Sequence, residues 1–138
     1  MRLFLDTNLF IDILLDREPF AQNALNLYKL CENGLAEGFI APITVNNIHY
    51  ICRKAHDPSL IKSFLSEISK HLNIAPMNAQ TITIANKLKM RDYEDALQYA
   101  MALQLECDYL ITHNTKDYKN LHTIRIATPD MFLQSIKM

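Results

Sequence analysis

Short apolar runs alternate along the chain with longer stretches whose apolar residues recur every three or four positions. Leu3-Phe4-Leu5 is the first run, and it stops abruptly at Asp6-Thr7-Asn8. That is the pattern of a buried strand ending in a polar turn. Leu9 to Leu15 predicts a short helix. Pro19 suits the first turn of a second helix, Phe20 to Cys31, in which Leu25, Tyr28 and Leu30 help to line an apolar face. Asn33-Gly34 stops it. Gly38-Phe39-Ile40-Ala41 predicts a second strand, and Thr44 is placed to cap a helix running to about Ala55.

Asp57-Pro58 opens the next helix, with Leu60, Ile61, Phe64, Leu65 and Ile68 at helical spacing. Asn73-Ile74-Ala75 reads as a third strand, Gln80 to Lys89 as a helix, and Asp92 as the cap of a helix through about Leu105. Tyr109-Leu110-Ile111-Thr112 and Ile124-Arg125-Ile126 are the fourth and fifth strands, and Pro129 starts a terminal helix. Strands alternating with one or two helices predict an α/β fold with a mostly parallel sheet.

The length of 138 residues suits one domain over 1–138. An apolar fraction of 49% supplies a core without disulfides or structural metal, and 21% charged residues exclude a disordered chain. Two glycines, Gly34 and Gly38, are too few for a glycine-rich phosphate loop. Cys31, Cys52 and Cys107 are odd in number and far apart, which predicts free buried thiols in a reducing cytoplasm. No apolar run is long enough to span a membrane, and the N-terminus lacks the segments of a signal peptide. A net charge of -1 argues mildly against tight nucleic-acid binding. It leaves room for a local basic groove.

In a parallel open sheet, ligands bind beyond the carboxyl ends of the strands. Two such ends carry polar clusters here: Asp6-Thr7-Asn8, and Thr112-His113-Asn114 with Asp117. Asp92-Tyr93-Glu94-Asp95 opens the helix leading into the fourth strand. Gathered carboxylates repel, and a divalent ion of the oxygen-preferring Mg²⁺ or Mn²⁺ kind resolves that repulsion. Each residue also has a plain structural reading. Asp6 can cap the first helix, Asp92 with Asp95 resembles a capping box, and Asn114 and Asp117 fit turns. His113 reads as a solvated turn residue. His49 and His56 lie seven apart, which does not suit a helical zinc pair. Lys87, Lys89 and Arg91 cluster at a helix end, where the helix dipole accounts for them.

Read together, Leu5-Asp6-Thr7-Asn8, Ala41-Pro42-Ile43-Thr44, Asp92 to Gln98 and Tyr109 to Tyr118 closely resemble the PIN-domain family, in order and at family-like spacing. The resemblance implies a three-layer α/β/α fold with a five-stranded sheet, and Mg²⁺- or Mn²⁺-dependent endoribonuclease chemistry at an acidic cluster. It places Asp6 as the first acidic ligand and Asp95 as the third, with Asn8 and Thr112 as polar supports. The family's second acidic position falls at Asn47, and Asn114 stands where many members have Asp. Asp117 is the candidate to restore charge, with Asp92 beside it. The resulting site set is Asp6, Asp95 and Asp117 as catalytic groups, joined by Asn114 at the metal. Lys87, Lys89, Arg91 and Lys116 flank it as candidate phosphate-holding bases. Many small bacterial members are toxins paired with an antitoxin, and many are homodimers.

Two other functions compete. A degenerate PIN domain would bind RNA or a protein without cutting, and Asn47 and Asn114 motivate that reading. A receiver-like domain would use Asp6 as a phosphate acceptor and would want a lysine after the last strand, where Ile126-Ala127-Thr128-Pro129 has none.

Overall fold

The computed structural model describes residues 1–137. Five strands, β1 (Arg2–Leu5), β2 (Glu37–Ile40), β3 (Leu72–Ile74), β4 (Tyr109–Ile111) and β5 (Arg125–Ala127), form one sheet in the order β3-β2-β1-β4-β5. Every pairing is parallel, from Phe4 opposite Phe39 to Ile111 opposite Ala127. The helices are α1 (Thr7–Leu14), α2 (Ala21–Glu32), α3 (Pro42–Cys52), α4 (Pro58–His71), α5 (Ala79–Lys87), α6 (Tyr93–Gln104) and α7 (Pro129–Ser135).

Side chains of a strand alternate between faces, so a central strand covered on both sides is apolar throughout. Leu3 and Leu5 meet Leu27 of α2, Ile48 of α3, Ile61 of α4 and Phe132 of α7 on one face. Phe4, Phe39 and Leu110 meet Tyr99 and Met101 of α6 on the other. The helix α5 then packs on α6 through Ala85, Ala96 and Ala100. These are the three layers that the sequence leads one to expect. Phe4 is fully buried, and truncating such a ring to alanine costs roughly 3–5 kcal/mol. Gly38 is required by packing, because a Cβ there would meet Leu72 Cδ2 at 2.7 Å and Cys31 Sγ at 2.8 Å.

Several boundaries differ from the sequence reading. The first helix begins at Thr7 directly after Asp6, not at Leu9. The third starts at Pro42 with Ala41 in the cap position, because proline at the first helical position needs no N–H partner. Thr44 is therefore inside the first turn, buried, and its hydroxyl bonds that of Thr7 at 2.7 Å. The helix after Pro19 begins two residues later, at Ala21. The turn expected around Asn114 and Asp117 is a 3-10 helix over Thr115–Tyr118. Asp57 does cap α4 as expected, accepting from Ser59 N–H. The three cysteines are free and buried, and no helix among the described residues is long and apolar enough to cross a membrane.

The chain winds outward from β1 through β2 to β3, then returns through α5 and α6 to place β4 on the other side of β1. The winding reverses between β1 and β4. In open α/β sheets the crevice at that reversal, beyond the strands' carboxyl ends, is where ligands bind.

Candidate active site

Asp6 and Thr112 stand at that reversal, one directly after β1 and the other directly after β4. Asp6 occupies the cap position of α1, yet its side chain makes no capping hydrogen bond. Instead Thr112 Oγ1 donates to Asp6 Oδ2 at 2.7 Å, and Gln98 Nε2 donates to Oδ1 at 3.1 Å. Asp6 is only 4% exposed, so two donors hold its carboxylate fixed inside the fold. Thr112 Oγ1 also accepts from Asn114 N–H at 3.1 Å, which ties the following loop to the same point.

The amino end of α6 supplies the next groups. Asp92 caps the helix by accepting from Asp95 N–H at 3.0 Å, its plain structural role. Glu94, Asp95 and Gln98, at spacings of three and four, project from one side of the helix. Burial pushes the Asp95 carboxyl up to about 7, and Asp6, Asp92 and Asp117 push in the same direction. The nearby Tyr118 hydroxyl opposes them, by more than Asp117 contributes. Glu94 is half-buried and its pKa is also raised, chiefly by burial; Asn47 on α3 opposes this by donating to Glu94 Oε1 at 2.9 Å.

Asp6, Asn8, Asn47, Asp92, Asp95, Asn114 and Asp117 all line one pocket of about 230 Å³, and Glu94 joins them. None of the ion pairs among the described residues involves one of its carboxylates. Acids with no cationic partner, Asp6 buried, Glu94 and Asp95 half-buried and Asp92 and Asp117 exposed, with asparagine amides beside them, are a donor set that suits a hard divalent ion. Among the described residues no three carboxylates of the pocket close to within 4.8 Å of one another, whereas ligand atoms of Glu32, Glu67 and His71 do so elsewhere in the molecule. A larger cleft of about 610 Å³ runs along β5 and α7, but no carboxylate lines it, so volume does not locate the chemistry.

An adjoining groove of about 580 Å³ shares Asp92, Asp95 and Asp117 with the pocket. Lys89, Arg91 and Lys116 line it, together with Lys119. Lys87 does not. It is the last residue of α5 and exposed, outside the lining.

Four residues escaped the sequence reading. Glu94 sat in view within an acidic run but was given no role of its own. Gln98 carries the signal of a polar residue three positions after Asp95, within the apolar stretch Ala96 to Leu103. Lys119 lies just past the turn that bears Lys116. Asp12 interrupts the apolar stretch of α1, is fully buried, and meets His113 Nδ1 at 2.8 Å. His113 is therefore no solvated turn residue: its side chain is 15% exposed and pinned between Asp12 and the Phe20 ring, 4.6 Å away centroid to centroid.

A parallel three-layer sheet with a carboxylate pocket at its reversal point defines a class, the acidic-site α/β proteins whose donors gather from several strand and helix ends. Residues 2–116 match the family model described as PIN domain, and the chain belongs to the PIN-domain family, whose members are generally nucleases. Three solved structures share the fold. A VapBC from Salmonella typhimurium, solved bound to DNA, is similar at TM-score 0.71 and 17% identity, over 94% of this chain and 98% of that one. VapBC2 from Rickettsia felis, bound to a DNA fragment from its promoter, gives 0.69 and 20%, over 91% and 97%. A toxin–antitoxin complex from Klebsiella pneumoniae gives 0.67 and 24%, over 92% and 97%. No curated protein matches the sequence.

Proposed function

We propose that the protein is a divalent-metal-dependent endoribonuclease and the toxin of a toxin–antitoxin pair. One observation carries the reading: unpaired carboxylates share a pocket at the sheet's reversal point, and a basic groove opens from it. Asp6, Asp95 and Asp117 would hold Mg²⁺ or Mn²⁺, with Asn114 and Glu94 adding oxygens. Such an ion, when bound, supplies a more acidic water and a counter-charge for the phosphodiester.

The chain's own residues do the rest. Thr112 and Gln98 orient Asp6 by taking up its two oxygens. Asn47 orients Glu94. Lys89, Arg91, Lys116 and Lys119 hold backbone phosphates beside the pocket, so RNA is bound locally despite a net charge of -1. The toxin role draws on the folds of the VapBC and toxin–antitoxin structures. An antitoxin partner, a homodimer and a cytoplasmic setting belong to the same proposal.

Asn47 and Asn114 favour a second reading, a PIN domain that binds without cutting. The carboxylate of Glu94 beside Asn47 counts against it, because the pocket regains a charge next to the position where the family carries one. The experiment is incubation with a panel of RNAs in Mn²⁺, Mg²⁺ and EDTA, beside an Asp6→Asn control. Metal-dependent fragments absent from the control are expected. Binding without any metal-dependent product would leave the second reading standing.

A further inference from the structure

Three ligand atoms converge at the opposite edge of the sheet. Glu32 is the last residue of α2, shortly before β2, and His71 is the last of α4, directly before β3. Because the strands are parallel, this is the amino edge, remote from Asp6. Glu67 lies one turn before His71 on the same face of α4. His71 Nε2 is 3.3 Å from Glu67 Oε1 and 3.9 Å from Glu32 Oε2. All three ligand atoms lie within 4.8 Å of one another. Ligands about 2.0–2.1 Å from a tetrahedral zinc ion sit roughly 3.4 Å apart, so the observed spacing needs little adjustment to hold one.

A second observation points into the same place. Tyr28 is on α2, four residues before Glu32, and is 8% exposed. Its hydroxyl is buried and has no hydrogen-bond partner among the described residues. The Tyr28 ring meets that of His71 edge-on, with centroids 6.3 Å apart. Glu32 and Glu67 lie close to this hydroxyl, though neither accepts a hydrogen bond from it. A buried donor lacking an acceptor is costly, and an ordered ligand or metal-bound water between the helices would satisfy it.

We propose that Glu32, Glu67 and His71 form a second divalent-ion site of the zinc type, which clamps the end of α2 to the end of α4. Two carboxylates and an imidazole leave one position open, the usual count for a three-ligand zinc site. The imidazole selects zinc-like ions over Mg²⁺, in contrast to the all-oxygen pocket around Asp6. Lys70 Nζ, 3.4 Å from Glu67 Oε2, touches the oxygen that does not face His71 and leaves Oε1 free to ligate.

The test uses EDTA-stripped full-length protein carrying Asp6→Asn and Asp95→Asn, so that the acidic pocket does not contribute, and titrates Zn²⁺ by calorimetry. One zinc equivalent is expected, with a rise in melting temperature because the ion binds only the folded state. His71→Gln in that background is expected to weaken Zn²⁺ binding at least tenfold and to remove the thermal shift. Glu67→Gln, at an exposed position, is expected to do the same. A Zn²⁺ isotherm and thermal shift that neither substitution changes would overturn the site.

Discussion

Asn47 of α3 donates its side-chain amide to Glu94 of α6 at 2.9 Å, and both line the acidic pocket. The two helices are far apart in sequence, so the contact exists only in the folded chain. It sets the Asn47 amide against a carboxylate that comes from the facing helix. If Glu94 contributes to ion binding, Glu94→Gln removes a charge and is expected to weaken Mn²⁺ binding about tenfold or more, since affinity follows ligand charge. Asn47→Ala removes only the orienting hydrogen bond, and a loss of roughly tenfold is expected. Calorimetry with Mn²⁺ checks both. An unchanged affinity in Glu94→Gln would show that Asp6, Asp95 and Asp117 act without it.

Asp95 gives the site a pH dependence. Its pKa is raised from an ordinary 3.8 to about 7 by burial and by Asp6, Asp92 and Asp117. A ligating carboxylate must be ionised, so Mn²⁺ affinity is expected to fall as pH drops from 8 to 6, with a proton released on binding near neutrality. For the ion-free protein the sign is opposite. A raised carboxyl pKa means the native state binds more protons, so its contribution is present below pH 3.8 and is lost as pH rises through about 7. The melting temperature in EDTA is therefore expected to decline between pH 5 and 8, and Asp95→Asn to flatten that decline. A wild-type slope retained in Asp95→Asn would move the titration to another group.

The basic groove predicts a salt signature. Lys89 and Arg91 line it and Lys87 does not. Each phosphate contact to a single strand contributes about 0.7 to the slope of log affinity against log salt, so replacing Lys89 and Arg91 with Ala should reduce the slope by about 1.4. Lys87→Ala should leave it alone. RNA binding measured over a salt series decides the matter, and equal slopes in all three proteins would place RNA elsewhere.

The Asp12–His113 pair ties α1 to the loop that carries Asn114. Asp12 is fully buried and its pKa is raised, chiefly by burial, with His113 and Arg17 opposing. Arg17 is 3.7 Å from Oδ1, beyond hydrogen-bond distance, and its side chain is 43% exposed, so it holds Asp12 more loosely than the histidine does. His113→Ala is expected to destabilise the fold by roughly 2–3 kcal/mol, the usual consequence of leaving a buried charged group without its hydrogen bond. Urea denaturation measures it. A change under about 0.5 kcal/mol would mean that Asp12 is neutral or finds another donor.

Local physics made much of this protein legible before folding. Leu3-Phe4-Leu5 and Tyr109-Leu110-Ile111 are apolar at every position because both sheet faces are covered, and proline and capping residues mark several of the helix starts. The polar residues that follow β1 and β4 could be read as a site because a parallel sheet exposes its strand ends at one edge. What a linear reading cannot supply is which side chains face each other across the layers. Asp6 is a plausible helix cap in isolation, and only β4 and α6 packing beside β1 bring Thr112 and Gln98 to its oxygens instead. Asp12 with His113, Asn47 with Glu94, and Tyr28 beside Glu32, Glu67 and His71 are pairings of the same kind. They depend on register and helix rotation, which the whole core settles at once.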